Sequence, residues 1–225
     1  MVMQKPSPDQ RLAVGAAVHA AEAGTSGEIV TIIADRSDAY HDVALHWALL
    51  VALSVPILFA AAPDLPVAII GRLYGGWGSA EVRDLMLLTF AATTAAFLIV
   101  RYGLAYMPLR LRLTPEATRR RRVRRRALDL FKVGTEARTA GRTGILIYLS
   151  LGERMAEIIA DEAIHAKVAD TEWGDAMAAM IAEVREGRIA DGMIAAVGRV
   201  GALLAQHLPR ADDDVNELPD RLIEL

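Results

Sequence analysis

Hydrophobic residues in this chain fall into two kinds of run. From Val43 to Ala62 and from Leu85 to Met107 they follow one another without a polar stripe; elsewhere they form short β-branched bursts or recur at helical spacing. A bilayer core of roughly 30 Å needs about 20 residues of helix, each rising 1.5 Å, and both stretches reach that length. The first has no acid or strong base between Asp42 and Asp64, and Pro56 within it is tolerable as a kink. The one base of the second, Arg101, lies close enough to its end for the side chain to reach headgroups. Trp47, Trp77, Tyr102 and Tyr106 fall near the expected interfaces. A buried helix of a soluble core normally keeps a polar stripe, so the pattern predicts two transmembrane spans, 43–62 and 85–107. The first span starts well into the chain and lacks a basic leader, unlike a signal peptide.

The segments around this hairpin read as a divided α/β domain. Pro8 to Ala23 predicts a helix, with Pro8 in its first turn, an apolar side of Leu12, Val14, Ala17, Val18 and Ala21, and Gly24 closing it. Ile29 to Ile33 predicts a strand buried on both faces. After the hairpin a helix runs from Thr114 to Val133, ended by Gly134, with Val123, Leu128, Leu130 and Phe131 as its apolar members and a solvated or lipid-contacting arginine half. Gly144 to Ser150 and Arg154 to Ala160 predict two strands joined by Leu151-Gly152-Glu153. Helices follow at Thr171 to Glu186 and Ile189 to His207. The expected organisation is residues 1–40 as the first part of the domain, 41–108 as the hairpin, 109–208 as the second part, and 209–225, with Asp212-Asp213-Asp214, as a flexible tail. The expected fold is α/β, a small central sheet flanked by helices and interrupted by a transmembrane helical hairpin.

Charge adds an orientation. Between the spans lie only Arg72 and Arg83, balanced by Asp64, Glu81 and Asp84; after the second come Arg110, Arg112 and the run Arg119, Arg120, Arg121, Arg122, Arg124, Arg125 and Arg126. Positive flanks stay cytoplasmic, so both termini and the α/β domain are expected in the cytoplasm. Arginine far exceeds lysine, as in GC-rich coding sequence, which points to a bacterial inner membrane. The same arginines fit contact with anionic lipid headgroups. They lack interleaved stacking aromatics, which argues against nucleic acid. The net charge of -3 conceals this clustering, and zero cysteines remove disulfides, thiolate chemistry and the common zinc and iron-sulfur ligand sets. Gly75-Gly76-Trp77-Gly78 lacks the ending of a phosphate loop and reads as the bend between spans.

Three blocks carry a family likeness. Thr25-Ser26-Gly27-Glu28-Ile29-Val30 resembles the TGAEIVV opening of TPM domains, found in thylakoid-lumen, bacterial envelope and acetylcholine-receptor-modulating proteins. Thr143 to Arg154 resembles their NGVLLLVALEDR strand-turn-strand, and Arg185-Glu186-Gly187-Arg188-Ile189-Ala190-Asp191-Gly192 their closing helical pair. The resemblance implies a small sheet flanked by helices, and in some members calcium binding or weak phosphatase activity through acids near strand ends. Two of the motifs depart here. Asp-Asn-Gly before the second strand reads Arg142-Thr143-Gly144, and the glycine-rich block ending in glutamate reads Asp161-Glu162-Ala163-Ile164-His165. Glu28, Glu153 and Arg154 remain.

Candidate chemistry is correspondingly thin. Glu28 at a strand start, Glu153, and Asp161 with His165 are the candidates for a cation or partner site; a helix would put Asp161 and His165 on one face. Against this stand the ordinary structural roles of a strand-end glutamate and a sheet-edge loop. Calcium needs six to eight oxygens, which these residues do not supply, and the scattered His19, His41, His46 and His207 indicate no metal site. No catalytic residues and no cofactor are assigned, calcium staying as the one candidate ion. The expected function is a two-pass membrane protein whose TPM-like domain is a non-catalytic accessory that binds an envelope or membrane protein. A weak metal-dependent phosphatase and an anionic-lipid-binding scaffold are the alternatives.

Overall fold

The structure is a computed structural model that describes residues 5–76, 79–136, 143–210, 218 and 220–225. The chain divides into two compact units, one of residues 1–38 and 116–225 and one of residues 39–115.

The first unit is built on a sheet. Ser7 caps α1 (Pro8–Glu22), its hydroxyl accepting from the Gln10 amide at 3.3 Å while the Gln10 side chain accepts from the Ser7 amide at 2.8 Å. β1 (Glu28–Ala34) is buried along its whole length, which suits its β-branched composition. α6 (Glu116–Phe131) follows the inserted unit and passes into a π-helical turn, Lys132–Glu136. Then come β2 (Gly144–Ser150), β3 (Met155–Ala160), the single turn α7 (Glu162–His165), α8 (Asp170–Arg185), α9 (Ile189–His207) and β4 (Leu222–Glu224). The strand order is β3-β2-β1-β4. β1 lies parallel to β2, from Glu28 opposite Gly144 to Ala34 opposite Ser150, and parallel to β4; β3 is antiparallel to β2.

Two cores sandwich the sheet. On one face Ile29, Ile33, Ile145, Ile147 and Leu149 meet Val14 and Val18 of α1 and the inner sides of α8 and α9. On the other, Val30, Ile32, Leu146 and Tyr148 meet Val123, Ala127 and Phe131, one stripe of α6 at four-residue spacing.

The second unit comprises α2 (His41–Ala61), α3 (Asp64–Leu73), α4 (Val82–Gly103) and α5 (Met107–Arg112). α2 and α4 pack as a hairpin. The buried positions of α2 are Ala44, Ala48 and Ala52, small residues that let two backbones approach. α4 is half-buried at Leu85, Leu88, Thr89, Ala92, Thr93 and Ala96, and exposes Met86, Leu87, Phe90, Leu98 and Ile99. Its Thr89 hydroxyl bonds back to the Leu85 carbonyl at 2.7 Å, so the polar group is satisfied within the helix. Where the hairpin opens, the buried Arg110 donates from Nε to the Leu104 carbonyl at 2.7 Å and from Nη1 to the Ala39 carbonyl at 2.6 Å. α2, α4 and α9 are each long and apolar enough to cross a membrane by length and composition, but α9 is half buried within the α/β unit.

Several sequence expectations change. The second long helix stops at Gly103 rather than Met107, because the chain turns before Met107 and Pro108 open α5. α3 occupies part of the linker, where no helix was assigned from the sequence, and the helix expected from Thr114 starts at Glu116 after the separate α5. Arg154, expected to open β3, sits instead in the turn with φ 55°. The segment expected to be a flexible tail supplies β4, whose Leu222 is buried and whose neighbour Leu225 exchanges backbone hydrogen bonds with Ile33 and Asp35. Trp77, Gly78, Arg142 and Asp212-Asp213-Asp214 lie outside the described residues.

Candidate functional site

The four candidate polar residues do not converge. Glu28, Asp161 and His165 belong to the amino-terminal end of β1 and β2, and Glu153 to the carboxyl-terminal end. The length of a seven-residue strand, roughly 20 Å, separates the two ends.

At the amino-terminal end Asp161 clamps the sheet. Its Oδ2 accepts from the Gly144 amide at 2.9 Å, and its own amide donates to the Gly144 carbonyl at 3.0 Å. Asp161 lies just after β3, the edge strand, and precedes α7, in which the His165 amide donates to the Asp161 carbonyl at 3.0 Å. The exposed His165 ring stands edge-on to Trp173, centroids 6.1 Å apart. Glu28 is buried opposite Gly144. Beside it lies Glu22, a carboxyl that the sequence reading passed over. Its Oε1 accepts from the Ile29 amide at 2.7 Å, and burial, with the charges of Glu28 and Asp220 adding to it, pushes its pKa up to about 8. Asp220 also takes His19 Nδ1 at 2.7 Å. The signal was present: Val14, Val18 and Glu22 are spaced by four, so Glu22 continues the buried stripe of α1.

At the carboxyl-terminal end Glu153 is buried and accepts from the Ser37 amide at 2.9 Å and from the Ser150 hydroxyl. The Ser37 and Tyr148 hydroxyls lie 3.0 Å apart, and burial raises the Tyr148 phenol above its ordinary range. Gly152 permits this packing: a Cβ there would stand 2.7 Å from the Asp35 carbonyl oxygen. Both Glu153 and Asp161 thus spend oxygens on backbone amides or hydroxyls that would otherwise be buried and unmet. Among the described residues no group of three or more His, Asp or Glu side chains is placed to hold a metal ion.

The arginine run is divided by the helix period. Arg122 turns to Asp38 at 3.0 Å and Arg124 to Glu157 of β3 at 3.4 Å, while Arg120 reaches Glu116 at 3.9 Å. Arg119 is half-buried, and Arg121, Arg125 and Arg126 are exposed. The arginine half is therefore only partly a free basic face, because the stripe beginning at Val123 binds it to the sheet. Between α6, the outer edge of β3 and α8 opens a cleft of about 890 Å³. Arg120, Arg124 and Arg154 line it with Glu116 and Glu157, and Met177, Ile181 and Val184 give it an apolar wall.

Comparison with known proteins places part of the chain. Residues 113–203 match the family model of the TPM domain, a stretch running from just before α6 into α9 and leaving out β1 and the helical hairpin. The fold is also similar to the NMR structure of the BA42 protein from the psychrophilic bacterium Bizionia argentinensis, at a TM-score of 0.57 and 16% identity, with 100% of this chain and 99% of that chain covered. No curated protein sequence matches. A TPM domain is therefore present in the carboxyl-terminal part of the chain, on a mixed α/β fold whose four-stranded sheet is flanked by helices.

Proposed function

We propose that the protein is a two-pass integral membrane protein whose TPM-like domain is a non-catalytic module that binds another membrane or envelope protein. The observation that carries the membrane reading is α4: its half-buried stripe serves the hairpin, and the opposite face, Met86, Phe90, Leu98 and Ile99, is apolar as well. Water penalises such a surface and hydrocarbon accepts it. α2 supports the same reading through exposed Leu49, Leu50, Leu53 and Ile57. Arg110 is compatible with it, since a charge near a membrane interface is tolerated when backbone carbonyls take its donors. The basic residues that follow α4 favour a cytoplasmic placement of the α/β unit in a bacterial inner membrane, and exposed Arg121 and Arg125 suit anionic headgroups.

The non-catalytic part rests on the carboxylates. Asp161 and Glu153 are committed to strand-end amides and hydroxyls at opposite ends of the sheet, an arrangement that supports a scaffold role. Two measurements test the proposal. The protein should stay with membranes after alkaline carbonate extraction, and a reporter fused after Leu225 should be active in the cytoplasm; release, or a periplasmic signal, overturns the membrane half. Purified full-length protein should not turn over p-nitrophenyl phosphate with calcium or magnesium. Turnover abolished by Glu28→Gln would establish the phosphatase alternative instead.

A further inference from the structure

β3 ends the sheet: its inner edge pairs with β2, and no strand pairs with its outer edge among the described residues. An open edge presents unpaired amides and carbonyls, and such edges are normally covered, charged or used. This one forms the floor of the cleft between α6 and α8. The walls differ in chemistry. On the α6 side Glu116, Arg120 and Arg124 share one stripe at four-residue spacing, and Arg154 stands where the β2–β3 turn enters. On the α8 side the wall is Met177, Ile181 and Val184 above the buried Met180. β3 already obeys this division: Met155, Glu157 and Ile159 belong to the α6 side, with Glu157 paired to Arg124, whereas Ala156, Ile158 and Ala160 belong to the α8 side.

We propose that this cleft binds an extended segment of a partner protein as a fifth strand on the β3 edge, and that the segment alternates acidic with aliphatic residues. Successive side chains of a strand point to opposite faces, so a guest strand would send every second residue toward Arg120 and Arg124 and the others toward Met177, Ile181 and Val184. Main-chain pairing supplies affinity without regard to sequence; the two unlike walls supply selectivity. Four arginines, one of them Arg185 at the end of α8, and two glutamates line the cleft, so the complementary charge on a guest is negative. The proposal rests on reading the α/β unit as a partner-binding module and names the chemistry of that partner.

The test is a titration of full-length protein in detergent micelles, followed by fluorescence anisotropy. The probe is a labelled peptide about nine residues long, an ordinary strand with its flanks, alternating glutamate and valine. It should bind, and the same peptide with lysine for glutamate should bind at least about tenfold more weakly. Arg120→Gln with Arg124→Gln, both exposed positions whose ion pairs at 3.9 and 3.4 Å contribute little to stability, should weaken the glutamate peptide severalfold and shift the circular dichroism melt only slightly. Two further peptides leave the protein untouched. One is N-methylated on the glutamate amides and the other on the valine amides. In a strand one set of amides points to β3 and the other away, so one peptide should lose binding and the other keep it. Equal tolerance of both methylations, equal binding of the lysine peptide, or no binding at about 1 mM, weaker than known peptide-recognition modes, overturns the proposal. Phosphatase turnover dependent on Glu28 would instead defeat the underlying partner-binding reading, whatever the peptides do.

Discussion

Glu22 shows how one residue couples sequence position to pH. It ends α1 on the buried stripe, its Oε1 fixed by the Ile29 amide, and burial beside Glu28 and Asp220 holds its pKa near 8 against an ordinary 4.5. The folded protein keeps a proton that the unfolded chain releases between those values. The contribution to stability is therefore complete below pH 4.5 and lost as pH rises through 8. A shift of that size corresponds to about 5 kcal/mol across the window. Glu22→Gln keeps an acceptor for Ile29 and cannot ionise, so it should be the more stable protein near pH 9 and show a flatter dependence. Melting curves of both proteins in micelles between about pH 5 and about pH 9 check this, and parallel curves would refute it. Asp161 acts through its hydrogen bond to the Gly144 amide. Asp161→Ala should cost about 1–3 kcal/mol by leaving the Gly144 amide buried without its acceptor, read as a lower denaturant midpoint; an unchanged midpoint would deny the clamp.

At the scale of elements, the packing of α9 on α1 depends on the absence of a side chain. A Cβ at Gly201 would stand 2.6 Å from the Ala21 Cβ, so Gly201→Leu must push the two helices apart. We expect a loss of about 1–3 kcal/mol, measured as a shift in the urea midpoint, whereas Gly198→Ala, which meets nothing within 4 Å, should be neutral or slightly stabilising. Most elements were legible as patterns. β1 and β2 announced themselves through Ile29 to Ile33 and Ile145 to Leu149, and α9 through apolar spacing bounded by Arg188 and His207. β4 was not legible, because three residues after an acidic stretch carry too little periodicity; β1 creates that strand by offering it an edge. α3 escaped because it is only ten residues long and lies between two spans read from their length; its Pro66 is at home in a first helical turn.

For the whole molecule, the order of segments carries the largest consequence. The hairpin lies between β1 and α6, so the two parallel strands β1 and β2 reach each other only across the inserted unit. If that insertion is a two-pass anchor, its orientation depends on the bases after α4. Replacing the arginines of 119–126 with glutamine should then produce mixed or inverted topology in a carboxyl-terminal reporter assay, since the remaining flanks carry little bias. A single unaltered orientation would show that Arg110 and Arg112 suffice.

The sequence alone determined the alternation of helix and strand, the two stretches of span length and the clustering of arginine, because each follows from side-chain chemistry repeated at a local period. It also exposed the candidate acids as residue types. Tertiary structure alone decided which end of the sheet each of them occupies. Asp161 joins Glu28 at one end of the strands, Glu153 goes to the other, and Glu22 enters beside Glu28 from a neighbouring helix. The cleft at the β3 edge likewise exists only once α6 and α8 lie on opposite faces of the sheet. Proximity between residues far apart in sequence is set by strand order and register, and no local period encodes either.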